Sequence, residues 1–238
     1  MSSKKLGVLG GMGPMATSMF FERIIEKTKA NCDQEHLDMV ILNHASMPDR
    51  TSAILSGNYE PFLSNVKKDL LTLETLGVDN IAIPCNTSHF FMPQMLEMTN
   101  IPIINMVEET AIEIKKRYGA GTRVAILATN GTIKTGTYEK ACLANALEFV
   151  KPNSVLQEAV MKTIYDIKSG VSINIADFEA IIRHMRDVEN CKCIILACTE
   201  LSLIQLESEL SNVCIDAMDV LVEKSILYSG GTLKTFHG

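Results

Sequence analysis

Short, almost wholly apolar runs alternate along this chain with longer segments in which apolar residues return every three or four positions. The short runs are typical of buried β-strands, and the longer segments are typical of amphipathic helices. Strands that alternate with helices predict an α/β protein with parallel sheets and right-handed crossovers. The predicted strands are 6–9, 37–42, 101–105, 123–128 and 213–216, with two more that end at Cys85 and Cys198.

Local signals set several helix limits. Pro14 suits the first position of a helix, where its missing N–H has no partner to lose. Gly77 is suited to end the helix whose apolar face carries Phe62 and Leu73. The predicted helices are 14–29, one that ends before 77, 88–97, one that ends before 119, one that ends near 147, 153–168, 177–188 and a last one that ends near 227.

The pattern occurs twice. The apolar run 6–9 has a counterpart 118 positions later at 124–127, and Cys85 has a counterpart 113 positions later at Cys198. Two near-equal offsets indicate a duplicated α/β unit. We therefore predict two pseudo-symmetric parallel-sheet α/β domains with the active site in the cleft between them. The predicted domains are 1–105 plus 212–238, and 106–211.

Each of the two matched cysteines ends a strand and precedes small polar residues. Ligands of parallel sheets bind outside the carboxyl ends of the strands, so both thiols are expected at that edge. A helix start after each cysteine would favour its thiolate. A thiol and a thiolate on opposite sides of one carbon can racemise an amino acid, because one removes the α-proton and the other returns it. The small polar residues Asn86, Thr87 and Thr199 are candidates to hold the α-carboxylate.

The alternative for any single cysteine here is an ordinary core residue, since free cysteine packs like a small hydrophobe. Matched positions in a duplicated unit favour function for Cys85 and Cys198. The five others have no such setting and are interpreted as core or surface residues. A metal site built from Cys191, Cys193 and Cys198 fits no zinc spacing. The five cysteines that are interpreted as core or surface residues are Cys32, Cys142, Cys191, Cys193 and Cys214.

Composition narrows the class of protein. The 238 residues suffice for one large or two small domains. A net charge of −6 with no basic cluster argues against nucleic acid or an anionic membrane as partner. No apolar run approaches the roughly 20 residues that cross a bilayer, and residues 1–5 do not begin a signal peptide. An odd number of scattered cysteines, seven, then predicts reduced thiols in the cytoplasm.

Five motifs spread over the whole chain resemble the aspartate/glutamate racemase family, and specifically its aspartate racemase branch. The resemblance implies an enzyme independent of pyridoxal phosphate and of metals, with two pseudo-symmetric domains and a homodimeric assembly. It also implies that Cys85 and Cys198 are the acid/base catalysts, one for each enantiomer. The motifs are Gly-Gly-Met-Gly-Pro at 10–14, Pro-Asp-Arg-Thr at 48–51, Pro-Cys-Asn-Thr at 84–87, Ile-Tyr-Asp-Ile-Lys-Ser-Gly at 164–170 and Cys-Thr-Glu-Leu at 198–201.

Two departures separate the sequence from the glutamate racemase branch, which looks like Gly-Cys-Thr-His at the second cysteine. Here residues 197–200 read Ala-Cys-Thr-Glu, and the first loop has Gly11-Met12 where that branch has Asp-Ser. Both differences favour an aspartate racemase or a related enzyme of broader range. Neither difference excludes glutamate as a substrate.

Two cations are candidates for the side-chain carboxylate of an amino diacid. Arg50 can bind a carboxylate bidentately, and Lys168 would add a second charge. The ordinary alternatives are a solvated first-turn Arg50 after the cap Asp49, and a Lys168 that only complements its helix end. Other loop residues at the same sheet edge are candidates to line the pocket: Met12, Asn43 and Thr129. The two histidines His89 and His184 are interpreted as structural.

Three competing functions remain. The run 11–16 fits G-x-G-x-x-A, which would indicate a nicotinamide-dependent oxidoreductase, but the second strand ends in Asn43-His44 with no ribose-binding acid. A thiol redox module would pair Cys85 with Cys198, although no C-x-x-C motif is present. A related cysteine-pair enzyme, such as a maleate isomerase, hydantoin racemase or decarboxylase, is the third; Arg50 and Lys168 favour an amino diacid over it.

Overall fold

The computed structural model describes residues 4–235 and contains two parallel β-sheets. The first sheet has the strand order β2-β1-β3, and the second has the order β5-β4-β6-β7. Every strand pairing is parallel, so the predicted α/β class with parallel sheets is confirmed. The strands are β1 (Leu6–Gly10), β2 (Met39–Asn43), β3 (Asn80–Ala82), β4 (Arg123–Ala128), β5 (Glu148–Val150), β6 (Cys193–Ala197) and β7 (Cys214–Asp216).

Helices connect the strands, and short 3₁₀ turns lie at Asp33–Glu35, Thr87–Phe91 and Leu201–Leu203. None of the helices within residues 4–235 combines the length and the apolar character needed to cross a membrane. The helices are α1 (Pro14–Lys27), α2 (Arg50–Ser56), α3 (Glu60–Thr75), α4 (Met92–Leu96), α5 (Met106–Tyr118), α6 (Asn130–Thr135), α7 (Thr137–Ala144), α8 (Ser154–Lys168), α9 (Ile175–Asp187), α10 (Ser208–Ser211) and α11 (Ala217–Tyr228).

The hydrophobic core has three parts: one is shared by both sheets, and each sheet also has a private core of its own. This division follows from the period-two alternation of side chains along a strand. On β1, Leu6 and Val8 face a large core shared by both sheets, whereas Leu9 faces a core that belongs to the first sheet. On β4, Val124 and Ile126 face the shared core, and Ala125 and Leu127 face the private core of the second sheet. Helix α11 packs against both α1 and α5 in the shared part.

The C-terminal segment contributes to both halves. Strand β7 pairs with β6 in the second sheet, while α11 fills the shared core and packs against α1. Sheet membership alone therefore does not define a boundary inside this segment. The division into 1–105 plus 212–238 and 106–211 stays a prediction, and its ends at 1–3 and 236–238 lie outside the described residues.

Several predicted elements differ from the structure. Strand β2 is a half-buried edge strand rather than a buried one, because β1 covers only one of its sides. The predicted strand 101–105 is reduced to one bridge between Ile81 and Ile103. The predicted helix up to 147 is interrupted by Gly136 at φ +62°, a left-handed conformation that ends α6, and the short strand β5 that follows α7 was missed.

One glycine of the first loop is fixed by a close approach. Gly11 has φ +90°, and a Cβ there would lie 2.4 Å from the carbonyl carbon of His44. No side chain fits between the two loops, so the turn after β1 can lie directly against the loop after β2. This contact sets the position of Met12 and Gly13 at the sheet edge.

Candidate active site

The two matched cysteines face one small cavity between the sheets. Cys85 lies three residues after β3 and Cys198 follows β6 directly, and each is only 5% exposed. The open space is about 10 Å³, which is room for a single water molecule. An amino acid can therefore enter only if the walls move apart. The lining residues are Met12, Asp49, Arg50, Thr51, Cys85, Asn86, Thr87, Thr129, Lys168, Cys198, Thr199 and Glu200.

Larger spaces lie elsewhere on the protein but lack this chemistry. A groove of about 770 Å³ runs beside α4 and α7, and a cavity of about 330 Å³ lies beside Arg23 and Asp216. Arg23 is already bonded to Asp216 at 2.7 Å and to Asp219 at 3.0 Å. We therefore place the candidate active site at the cavity that holds the paired thiols, although other cavities are larger.

Cys198 rests as a neutral thiol. Its Sγ donates a hydrogen bond to Oε2 of Glu200 at 2.9 Å. Burial raises the pKa of Cys198 well above its ordinary value, and the negative charge of Glu200 raises it further, while Lys168 opposes the shift. This thiol is consequently prepared to give up a proton rather than to take one.

Lys168 connects the charged groups of the cavity. Its Nζ lies 3.8 Å from Oε1 of Glu200. Burial opposes a charge on this amine, yet the negative charge of Glu200 raises the pKa of Lys168 above its usual value. The ammonium is therefore charged near neutral pH and acts on both thiols.

Arg50 is a buried cation with free hydrogen-bonding capacity. It is 7% exposed, and its two Nη atoms donate to the carbonyl oxygens of Pro48 at 3.1 Å and Met12 at 3.0 Å. Its Nε has no partner, and within residues 4–235 no carboxylate lies within 4 Å of its guanidinium. Asp49, next in sequence, is occupied as the cap of α2, where it accepts from the Ser52 amide. Arg50 lowers the pKa of Asp49 by charge attraction without forming a close ion pair with it, so the unpaired Nε–H of the buried guanidinium is available to an anionic ligand.

Asn86 also keeps an unused donor. Its Oδ1 accepts a hydrogen bond from the Tyr138 hydroxyl at 2.5 Å, and its buried Nδ2 has no hydrogen-bond partner in the part of the chain that the structure describes. The Thr87 hydroxyl lies 3.0 Å from that of Thr129 and 3.1 Å from that of Thr132. Residues of both halves are thus joined at the cavity wall.

The helix starts expected after the cysteines are short. A five-residue 3₁₀ turn begins at Thr87, and a three-residue turn begins at Leu201. Such turns have little of the aligned dipole of a long α-helix. The predicted dipole stabilisation of the thiolates is therefore small, and the groups that lower the pKa of Cys198 are the ammonium of Lys168 and the backbone N–H of Glu200.

The structure brings together nine of the ten predicted site residues. Asn43 is the exception and does not line this cavity: it is exposed at the end of the edge strand β2, two strands away from β3 and Cys85. The nine that line the cavity are Cys85, Cys198, Arg50, Asn86, Thr87, Lys168, Thr199, Met12 and Thr129.

His89 is more closely tied to the site than the sequence suggested. It is 2% exposed, its Nε2 accepts from the Met106 amide at 3.1 Å, and its Nδ1 therefore donates to the Cys85 carbonyl at 2.9 Å. Burial lowers the pKa of His89, which keeps the imidazole neutral. His184, by contrast, lies on α9 with a third of its side chain exposed.

Three lining residues, Asp49, Thr51 and Glu200, were not among the predicted site residues, and neither was Tyr138, which contacts the lining residue Asn86. Glu200 had a visible signal, since it is the acid two positions after Cys198 where the glutamate racemase branch has histidine. Tyr138 had none, because it lies 52 positions from Asn86 in a helix of the other half.

Several known proteins resemble this chain in sequence or in fold. A family model described as Asp/Glu/Hydantoin racemase matches residues 9–225. The broad specificity amino-acid racemase RacX of Bacillus subtilis (strain 168) is 28% identical over 217 residues, which cover 86% of this chain and 90% of that protein. The structure of Picrophilus torridus aspartate racemase superposes with a TM-score of 0.80 at 30% identity, covering 97% of this chain and 96% of that one. An aspartate racemase homologue from Pyrococcus horikoshii OT3 gives a TM-score of 0.77 at 25% identity, with 95% and 99% covered.

Proposed function

The chain belongs to the Asp/Glu/hydantoin racemase family, and from this membership we propose that it interconverts L- and D-aspartate by a two-base mechanism that uses Cys85 and Cys198. The observation that carries the proposal is the placement of both thiols on one small cavity together with Arg50, a buried cation whose Nε has no hydrogen-bond partner within residues 4–235. The enzyme class, a racemase, follows from the family.

The chemical step needs one thiolate and one thiol. The thiolate takes the α-proton as the C–H bond breaks, and the electron pair is delocalised into the α-carboxylate. The opposite thiol then delivers its proton to the other face as the new C–H bond forms. When Cys198 is the acid, it is already protonated on its bond to Glu200. When Cys198 must act as the base, Glu200 accepts its proton first, and Lys168 stabilises the thiolate that results.

The polar groups of the cavity divide between the two carboxylates of aspartate. We assign the α-carboxylate to Asn86, Thr87 and Thr199, whose side chains follow the two cysteines. The side-chain carboxylate goes to Arg50, because Lys168 lies 3.8 Å from Glu200, whereas no carboxylate among residues 4–235 forms an ion pair with Arg50. Met12 and Thr129 complete the wall.

A broader substrate range is the second candidate. The relative RacX is named for broad specificity, and two of the four charges at the cavity, Lys168 and Glu200, neutralise each other. Such a site discriminates weakly against amino acids without a second carboxylate, because Arg50 is the only cation that would lose a ligand when that carboxylate is missing. Glutamate is also included in this range, and a hydantoin racemase or maleate isomerase would reuse the same thiol pair.

The experiment is a chiral assay of a panel of amino acids, with purified protein and no added pyridoxal phosphate. We expect D-aspartate to form from L-aspartate, and in heavy water the deuterium should appear first in the product enantiomer. No change of configuration in any amino acid would overturn the racemase proposal. Faster turnover of neutral or basic amino acids would select the broader candidate.

Further parts of the proposal concern assembly and location. We propose a homodimer that acts in the cytoplasm on a small amino diacid without nucleic acid, membrane or cofactor. The seven cysteines, all unpaired in the structure, support a reducing compartment. Light scattering of the purified protein tests the dimer, and a mass of one chain would contradict it.

A further inference from the structure

Tyr138 crosses from one half of the protein to the substrate-binding loop of the other. It is the second residue of α7 and is 1% exposed. Its hydroxyl bonds to the side chain of Asn86, the residue that follows Cys85. Burial raises the pKa of Tyr138 far above its usual value, so the phenol is neutral and has one proton to give.

The direction of this bond fixes the Asn86 amide. Oδ1 accepts the phenol hydrogen bond, so the NH2 group of the side chain points away from Tyr138, and there Nδ2 is buried with no hydrogen-bond partner among the described residues. An unpaired buried N–H donor costs free energy unless a ligand satisfies it. Asn86 lines the cavity of the two cysteines, and the ligand expected there is a carboxylate.

We propose that Tyr138 is a positioning residue for the substrate: it holds Asn86 so that Nδ2 donates to a carboxylate oxygen of the amino acid between Cys85 and Cys198. This inference rests on the proposed function for the identity of the ligand. Because Tyr138 and Asn86 belong to different halves, the carboxylate site is complete only when α7 is docked against the loop after β3.

A purely structural Tyr138 would behave differently. A core phenol that only fills space affects the thermal midpoint of unfolding but leaves the dissociation constant of substrate unchanged once the protein is folded. A positioning residue affects substrate binding, and it does so only through Asn86. A double-mutant cycle between the two residues separates these roles.

The test is the dissociation constant of L-aspartate, measured by calorimetry, together with KM and kcat. Tyr138→Phe removes one oxygen atom, and we expect a five- to tenfold weaker dissociation constant and higher KM, about the loss of one buried hydrogen bond, with kcat within twofold. In an Asn86→Ala background the same change should add less than twofold. The matched control is Tyr118→Phe, whose hydroxyl contacts the Asn212 carbonyl at the surface, and it should change nothing.

Unchanged aspartate binding in Tyr138→Phe, or an equal fold-change in the Asn86→Ala background, would overturn the inference. If Tyr138→Phe does not fold, Asn86→Asp replaces it: the Tyr138 bond remains possible, but the donor toward the ligand becomes an anion, and binding should fall more than tenfold. Wild-type protein that binds aspartate without racemising it would refute the proposed function alone. Wild-type protein that binds neither enantiomer would refute both.

Discussion

The sulfur of Cys198 lies 2.9 Å from Oε2 of Glu200, and the other oxygen of the same carboxylate lies 3.8 Å from the Lys168 ammonium. One carboxylate therefore joins a thiol to a cation at the wall of a small cavity. The thiol is kept protonated by burial and by this charge, and its proton has an acceptor within hydrogen-bond distance.

Glu200→Gln tests that relay. The amide keeps the shape of the side chain but removes the negative charge that raises the pKa of Cys198, so labelling of Cys198 by iodoacetamide should extend to lower pH. Loss of the proton acceptor should lower kcat/KM about 100-fold. The fall must be equal for both enantiomers, because the equilibrium constant of a racemisation is one.

Peptide mass spectrometry measures the labelling, and a chiral assay measures the rates. Glu209→Gln is the control, since that carboxylate is exposed and pairs with Arg186. An unchanged labelling profile would show that Glu200 does not influence the thiol.

Replacement of either thiol should abolish racemisation. Cys85→Ala and Cys198→Ala each remove one of the two proton carriers, and we expect losses of at least about 1,000-fold with thermal midpoints within a few degrees of wild type. The control Cys32→Ala alters an exposed thiol and should be fully active. Normal turnover by Cys198→Ala would refute the two-base scheme.

Arg50→Lys and Arg50→Ala test the side-chain carboxylate site. We expect KM for aspartate to rise about 10- to 100-fold in both, the usual loss when a hydrogen bond to a charged group is removed. Lysine should not rescue binding, since it cannot reproduce a bidentate guanidinium contact.

Arg186→Ala provides the matched control, because its ion pairs with Asp187 and Glu209 lie on the surface. Alanine as substrate provides another, since it has no side-chain carboxylate to lose. An equal effect of Arg50→Ala on alanine and aspartate would place the guanidinium at the α-carboxylate.

His89 should make folding stability depend on pH. Its folded-state pKa is lowered by burial, so it stays neutral in the native state while the unfolded chain takes up a proton below about 6.5. Stability is therefore full above that value and falls as pH drops from about 7 toward 5. Thermal melts of wild type and His89→Gln over this range measure the difference.

The His89→Gln protein should be less stable at pH 7.5 but should show a shallower pH dependence. Parallel melting curves of the two proteins would mean that other groups, and not this histidine, control the acid sensitivity. Since His89 donates to the Cys85 carbonyl, activity should fall together with occupancy of the native state.

The sequence predicted the parts of the site that depend on local order. Cys85 and Cys198 end apolar runs, and the residues after a strand end lie near one another at the sheet edge. Asn43 also lies at a strand end, but it does not line the cavity. The order of strands in a sheet is not a local property of the sequence, and β2 is at the edge, with β1 between it and β3. Arg50 and Lys168 were predicted as one pair of cations, yet only packing could reveal that Lys168 faces Glu200.

Tertiary packing also decided the elements that were missed. The break at Gly136 depends on a left-handed backbone that the helical pattern of its neighbours concealed. The three residues of β5 are too few for a periodic signal, and they form a strand because β4 is beside them. The contact of Tyr138 with Asn86 has no counterpart in any local pattern.

The shared core beneath the two sheets restricts how such a chain can be divided. A fragment limited to either half would present the face that carries Leu6 and Val8, or Val124 and Ile126, to water. Recombination of halves from different relatives must therefore preserve this buried seam as well as the catalytic loops. A working chimera would require matched side chains on α1, α5 and α11 before its active site could matter at all.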